Sequence, residues 1–223
     1  MAADTAKPND DDVADLIAEA DTGARNPKDG FSKAMLWWIP LTWSLFQLWI
    51  ASPLPFLLRF GVLNDTQTRS IHLGFAVFLA FIAFPALKSS PRDRIPYATW
   101  AIALVAALTA SYLWWDYRGV ADRTGAPNNI DLIMAGAGLI LLMEAARRSL
   151  GFPLMGVALF FLSYVFFGSS SFLPEVVQWK GASFEKAMSH MWLTTEGVFG
   201  VALGVSSGFV FLFVLFGSLL NQA

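Results

Sequence analysis

The chain has 223 residues, of which 56% are hydrophobic and only 14% are charged, and its formal net charge is -2. A soluble domain carries roughly a quarter charged residues, so this composition excludes a water-soluble globular fold and predicts an integral membrane protein. The absence of Cys excludes a disulfide framework, a thiolate metal site and a Cys nucleophile.

The first 31 residues differ in composition from the rest of the chain. Eight acidic residues fall between Asp4 and Asp29, with few large apolar residues among them. Such a segment cannot bury enough apolar surface to offset the entropy of ordering it, so we predict a disordered acidic tail over residues 1–31. The tail does not have the pattern of a signal peptide. The first apolar run is therefore predicted to remain in the mature protein as a signal anchor.

Six apolar runs follow, and they predict an all-α, polytopic transmembrane protein with about six spans. A spanning helix needs about 20 mostly apolar residues. Pro53 and Pro55 end the first run, because proline stops a helix. The stretch Pro53–Leu63 holds Arg59 and is too short to span, so we place it at the membrane interface. The predicted spans are Met35–Ala51, Ser70–Leu87, Tyr97–Trp115, Asp131–Arg147, Phe152–Gly168 and Gly197–Leu220.

The fourth run, Asp131–Arg147, has the shortest charge-free core. Its end carries Glu144, which can pair with Arg147 or Arg148 three and four residues later on a helix. Gly151 and Pro153 then break the helix. The pattern indicates two spans joined by a tight basic turn, and the alternative is one long, broken and tilted helix.

The distribution of Lys and Arg favours a cytoplasmic N-terminus. In that orientation eight basic residues lie on the inside and six on the outside, and two of the outer six belong to the long loop Ser169–Glu196. Short loops with an excess of basic residues stay in the cytoplasm, whereas long loops cross largely regardless of charge. In the long loop, apolar residues recur at helical spacing from Phe184 to Trp192. They predict an amphipathic helix that lies on the bilayer or on neighbouring helices.

The sequence offers no pattern typical of a catalytic, cofactor or metal site, so an enzyme is not expected. His72 and His190 lie on different elements, and neither has the spacing of metal ligands. The only run of charge is acidic, which argues against nucleic-acid binding. Ionisable residues within a membrane are the default functional candidates, and here Glu144, Asp131 and Glu196 lie near predicted helix ends, with Glu144 and Glu196 as the weak polar candidates. Glu144 is readily explained by a local ion pair and Glu196 by the dipole at a helix N-terminus.

The sixth span carries the clearest packing pattern. Gly200, Gly204 and Gly208 are spaced by four residues, which forms two overlapping GxxxG units. Small residues on one stripe allow another helix to approach closely. These three glycines are therefore predicted to be helix-packing positions.

Three stretches resemble the fused permeases of TRAP transporters. Ile71–Pro85 is similar to an early span of those permeases, and Leu141–Pro153 is similar to their junction. His190–Gly217 resembles the region just before the first re-entrant hairpin of the large subunit, and it is the most specific match. The resemblance begins near Ser32 and runs to the end of the chain.

The resemblance implies a bacterial inner-membrane scaffold in a secondary transporter that imports organic acids, typically coupled to sodium. A periplasmic solute-binding protein, often of the TAXI class, delivers the solute. Residues 32–128 would correspond to the small membrane subunit and residues 129–223 to the start of the large one. The hairpins and the solute and sodium sites of the family would then follow residue 223, so no binding residue is carried over. On this view the chain is a fragment, or a separate polypeptide supplies the remainder. The alternatives are a stand-alone accessory or assembly subunit and, less favoured, a membrane-embedded enzyme.

Overall fold

The computed structural model describes residues 23–87, 89–171 and 173–222. Over these residues the secondary structure is helical and contains no strand, which confirms the all-α prediction. The N-terminal part of the predicted acidic tail lies outside the described residues. The tail ends earlier than residue 31, because the backbone N–H of Arg25 donates to Ala83 (2.7 Å) and that of Lys28 donates to Asp93 (2.8 Å).

Eleven α-helices, numbered in chain order, make up most of the described residues. Two π-helical turns, Ser189–Leu193 and Ser206–Val210, interrupt the C-terminal part. The second of these joins α10 to α11, and the continuous run is called the terminal helix. The helices are α1 (Gly30–Ala51), α2 (Leu54–Leu58), α3 (Asp65–Ala83), α4 (Tyr97–Ala110), α5 (Tyr112–Trp115), α6 (Tyr117–Asp122), α7 (Asn129–Leu150), α8 (Phe152–Phe167), α9 (Phe184–Met188), α10 (Val201–Val205) and α11 (Phe211–Gln222).

Three helices of the described chain are long and apolar enough to cross a membrane: α1, α7 and the terminal helix. Helix α7 contains the predicted fourth run and is 22 residues long, and Asn128 and Asp131 form a capping box at its start. Helices α4 and α8 are apolar but shorter. The predicted third span is interrupted at Ser111, which separates α4 from α5. Six apolar runs were predicted, and three of them meet the criteria for a span.

The long helices run in alternating directions. Phe31, at the start of α1, contacts Trp100, at the start of α4, with ring centroids 5.6 Å apart. Gln67, in the first turn of α3, reaches the carbonyl of Trp114 at the other end of the bundle (3.4 Å). The bundle therefore has two ends. The basic end comprises the start of α1, the α3–α4 loop and the α7–α8 turn, and the loop end comprises the connections at residues 52–64, 111–128 and 168–200.

The two ends differ in charge. Among the described residues, and counting the two helix turns that adjoin each end, the basic end carries seven Lys or Arg side chains and only three acidic ones, whereas the loop end carries six basic and seven acidic side chains. The contacts from residues 25–28 to the α3–α4 loop, together with a hydrogen bond from Arg147 Nη2 to the Ala86 carbonyl (2.8 Å), hold the basic segments together. Burial and the neighbouring Arg148 lower the pKa of the Arg25 guanidinium from its usual value.

Helix α3 lies at the centre of the bundle. Its buried apolar side chains include Val77, Phe81 and Ile82, and it packs against the alanines of α4. Ala103, Ala106 and Ala110 of α4 are each at most 1% exposed. Small residues allow two helix backbones to approach closely, and α3 and α4 share the most extensive contact of any two helices in the described chain.

The turn between α7 and α8 is a tight reversal at Gly151, whose φ is +88°. A φ in this region favours glycine. Gly136 and Ile140 of α7 line the same cavity as Leu162 and Phe166 of α8, so the two helices form an antiparallel hairpin. The structure therefore has the two-helix arrangement and not the single long helix that the sequence left open.

The amphipathic helix predicted in the long loop is present as α9 and the π-helical turn that follows it. Ala187, Met188 and Trp192 are at most 3% exposed, and Phe184 is exposed. The Trp192 indole packs directly over Gly138 of α7. The apolar stripe therefore lies on a neighbouring helix.

We expect Gly138→Ala to destabilise the protein, because a Cβ at this position would overlap the Trp192 indole ring. Overpacking of this kind costs typically about 1–3 kcal/mol. Gly136→Ala is the matched control on the same helix, because the nearest atom to its Cβ would be Phe184 Cζ at 3.8 Å. Thermal unfolding in detergent measures both variants. Equal melting temperatures for the two would contradict the Trp192 packing.

Candidate functional site

The three glycines of the predicted packing stripe occupy different environments. The terminal helix begins at Val201, so Gly200 is its N-cap and lies outside the helix. Gly208 has open space where a Cβ would be. A Cβ on Gly200 would meet the Gly197 carbonyl of the preceding turn, and a Cβ on Gly204 would meet the side chain of Arg69. The backbone before Val201 forms turns, so the helix starts four residues later than the predicted span, and helix packing at the three glycines stays a prediction.

Arg69 connects the centre of the bundle to the terminal helix. Its Nη1 donates to the carbonyls of Phe199 (3.0 Å) and Gly200 (3.3 Å). A Cβ on Gly204 would lie only 2.7–2.8 Å from the guanidinium, so the arginine can lie in this position only beside glycine. The partner of Arg69 on its own helix is Asp65, which lies 3.5 Å from Nη2 and has a side chain that is 92% exposed.

A cavity of about 340 Å³ opens beside Arg69 at the loop end, between α1, α3 and the terminal helix. Its polar lining comprises Gln47, Thr68, Arg69 and Ser207, together with the carboxylate of Asp65. Gln47 is 3% exposed, and its Nε2 donates to the Ser207 carbonyl. Its Oε1 is buried and has no hydrogen-bond partner within the described chain. A buried acceptor without a partner costs free energy, so the Gln47 amide lacks one of its hydrogen bonds.

The two acidic candidates lie at opposite ends of the bundle. Glu144 is at the basic end, where it accepts from Arg147 Nε (2.6 Å) and Arg148 Nε (2.8 Å), as the local pairing predicted. Glu196 is in a turn five residues before the terminal helix, so it is not in the first turn of that helix. It lies 3.0 Å from His190 Nδ1, and both side chains are more than half exposed. The structure does not bring Glu144 and Glu196 together.

A second polar cluster, the Asp131 network, lies at the loop end. Asp131 is 1% exposed and accepts from Tyr112 Oη, from Arg123 Nε (3.0 Å) and Nη2 (2.9 Å), and from the backbone N–H of Asn128 (2.8 Å). Arg123 Nη2 also donates to Asp116 (2.7 Å). The network joins α5 and α6 to the start of α7.

The hydrogen bonds from Arg123 to Asp131, and secondarily to Asp116, raise the pKa of the Arg123 guanidinium above its ordinary value. Arg123 therefore stays protonated, and it balances the buried carboxylate of Asp131. A carboxylate with all these donors is a poor general base, because the same donors stabilise its charged form. The geometry of the network supports a structural role, in which the network joins α5 and α6 to the start of α7, and not a role in proton transfer.

No group of three or more His, Asp or Glu side chains in the described residues could hold a metal ion. The polar side chains instead form separate contacts that connect helices distant in sequence. Arg69, Gln47 and the partners of Asp131 were not singled out from the sequence as site residues. Gln47 was visible as a lone amide in an apolar run, but its partner lies 160 residues away.

Comparison of the chain with protein-family models, with curated proteins and with solved structures found no match. Residue chemistry and the geometry of the polar contacts are therefore the basis for assigning a function.

Asp131→Asn should lower the apparent melting temperature in detergent by on the order of 5 °C, because Arg123 and Tyr112 would lose their charged partner. Asp116→Asn should have a smaller effect, since Asp116 is partly exposed and Arg123 would keep Asp131. Thermal unfolding monitored by size exclusion measures both. A larger loss for Asp116→Asn would contradict the assigned roles.

Proposed function

We propose that the chain is the membrane scaffold of a TRAP-type secondary transporter that imports organic acids. Transport is coupled to sodium, and a periplasmic solute-binding protein delivers the solute. The chain itself carries no catalytic chemistry in this proposal. Its partners are the remainder of the large permease subunit, on the same or a separate polypeptide, and the binding protein.

The resemblance of three stretches to TRAP permeases supports the family. Ile71–Pro85 makes up most of the central helix α3, and Leu141–Pro153 contains the reversal at Gly151. His190–Gly217 contains the turns and the terminal helix that Arg69 contacts. Ile71–Pro85 contacts each of the other two stretches, because Arg148 lies over the Phe81 ring and the rings of His72 and Phe211 are 5.6 Å apart.

The observation that best supports a scaffold role is the set of polar contacts between the two predicted regions, residues 32–128 and 129–223. Arg147 reaches the Ala86 carbonyl at the basic end. At the loop end, Arg69 reaches the Phe199 carbonyl and Arg123 pairs with Asp131. Two regions joined at both ends of the bundle form a framework that can stay rigid while a transport unit moves against it.

The scaffold presents wide apolar surfaces. Helix α8 has no buried residue, and only 6% of the apolar window of the terminal helix is buried. Large side chains such as Phe160, Phe209 and Phe213 are more than 60% exposed. These faces suit lipid and the remainder of a permease.

The charge distribution supports an inner-membrane location with a cytoplasmic N-terminus. The basic end contains the start of α1, and segments with excess Lys and Arg are retained in the cytoplasm. The loop end would then face the periplasm, where a solute-binding protein docks.

Uptake by reconstituted protein tests the proposal. In proteoliposomes with an inward sodium gradient and a radiolabelled organic acid, the chain alone should give no uptake. The complete permease with its binding protein should transport, and omission of residues 32–223 should abolish transport.

Sodium-driven uptake by the chain alone would contradict the scaffold role. Full transport without the chain, once the remainder is inserted in the membrane, would instead identify an accessory or assembly subunit.

A further inference from the structure

We propose that the cavity beside Arg69 binds the head group of a phospholipid that carries a hydrogen-bond donor. The lipid phosphate contacts Arg69 and Thr68, and the donor of the head group contacts Gln47. This site is independent of the proposed transport role.

Arg69 has hydrogen-bonding capacity that the described chain does not use. Its Nη1 is occupied by two carbonyls, but its Nε makes no hydrogen bond within the described residues. Nη2 lies 3.5 Å from Asp65, which also lines the cavity, but the Asp65 side chain is 92% exposed and the ion pair is therefore weak. A guanidinium presents paired N–H groups that match the oxygens of a phosphate, so Nε and Nη2 are the natural anchor. Thr68 adds a hydroxyl on the same wall of the cavity.

Gln47 supplies an independent sign of a missing partner. Its side chain is 97% buried and lines the cavity, and its Oε1 has no partner in the described chain. The Nε2 of the same amide donates to the Ser207 carbonyl, so the atom without a partner is the Oε1 acceptor. It therefore requires a donor, such as an ammonium or a hydroxyl group, and not a second anion.

The depth of the site matches a lipid head group. Gln47 is four residues before the end of α1, and Arg69 is four residues after the start of α3. Each lies about 6 Å below its helix end at 1.5 Å per residue. Lipid head groups occupy this layer, at the edge of the hydrocarbon core.

The apolar surroundings favour a lipid over a small free anion. Ile50, Phe56 and Leu212 line the same cavity. Phe56 belongs to α2, which exposes Phe56, Leu57 and Leu58 at 62–73%. These side chains offer a surface for the glycerol and the first acyl carbons. A free phosphate ion would make no favourable contact with this apolar surface.

Binding of short-chain lipids to the purified full chain in detergent tests the inference. Phosphatidylethanolamine and phosphatidylglycerol should bind about two- to tenfold more tightly than phosphatidylcholine, which lacks a donor, because one hydrogen bond differs. Inorganic phosphate should not compete. Native mass spectrometry or a thermal-shift titration gives the affinities.

Variants separate the two contacts. Arg69→Gln should weaken binding of all three lipids by about tenfold or more, and Arg59→Gln, an exposed interfacial arginine, should not. Gln47→Met should remove the preference over phosphatidylcholine and leave the affinity for phosphatidylcholine unchanged.

Gly204→Ala should weaken binding, because the new Cβ would displace the guanidinium, whereas Gly208→Ala in the same helix has room for a Cβ. Only variants that elute as single species in size exclusion are compared.

Equal affinity of the wild-type protein for the three lipids would overturn the role of Gln47. Unchanged affinities in Arg69→Gln would overturn the site. Competition by inorganic phosphate would assign the cavity to a small anion instead of a lipid.

Discussion

A bilayer core offers no hydrogen bonds, so every polar group placed in it must find a partner inside the protein. This constraint explains where the polar side chains of this chain lie. Arg69, Arg147 and Asp131 all lie within two turns of a helix end, and each is bonded to a carbonyl or to an opposite charge. The middle of the bundle is packed by apolar and small residues, such as Phe81 and Ala103.

The polar contacts at the two ends also decide how the helices are arranged. Arg147 fixes the α7–α8 hairpin to the α3–α4 loop, and Arg69 fixes the start of the terminal helix to α3. Helix α8 and the terminal helix bury little surface in the chain. Packing alone would therefore not fix their positions, and the polar contacts do. The proposed scaffold role depends on the same property.

Local features were predictable from the sequence. The reversal at Gly151, the pairing of Glu144 with two arginines and the stripe from Ala187 to Trp192 follow from spacing and from glycine chemistry, and the structure contains all three. The contacts of Arg69 and Gln47 were not predictable, because their partners lie 130 and 160 residues away and periodicity carries no such information. The start of the terminal helix was not predictable for a related reason. Spacing indicated a continuous helix from Gly197, whereas the chain turns until Val201.

The most direct test of the account is the side of the membrane on which each end of the bundle lies. The chain contains no Cys, so single cysteines can be introduced at Ser89, in the α3–α4 loop of the basic end, and at Thr124, at the loop end. An impermeant thiol reagent applied to intact cells should label Thr124→Cys, and it should label Ser89→Cys only after the membrane is permeabilised. Labelling of Ser89→Cys in intact cells would contradict both the alternating arrangement with a cytoplasmic basic end and the transport role built on it.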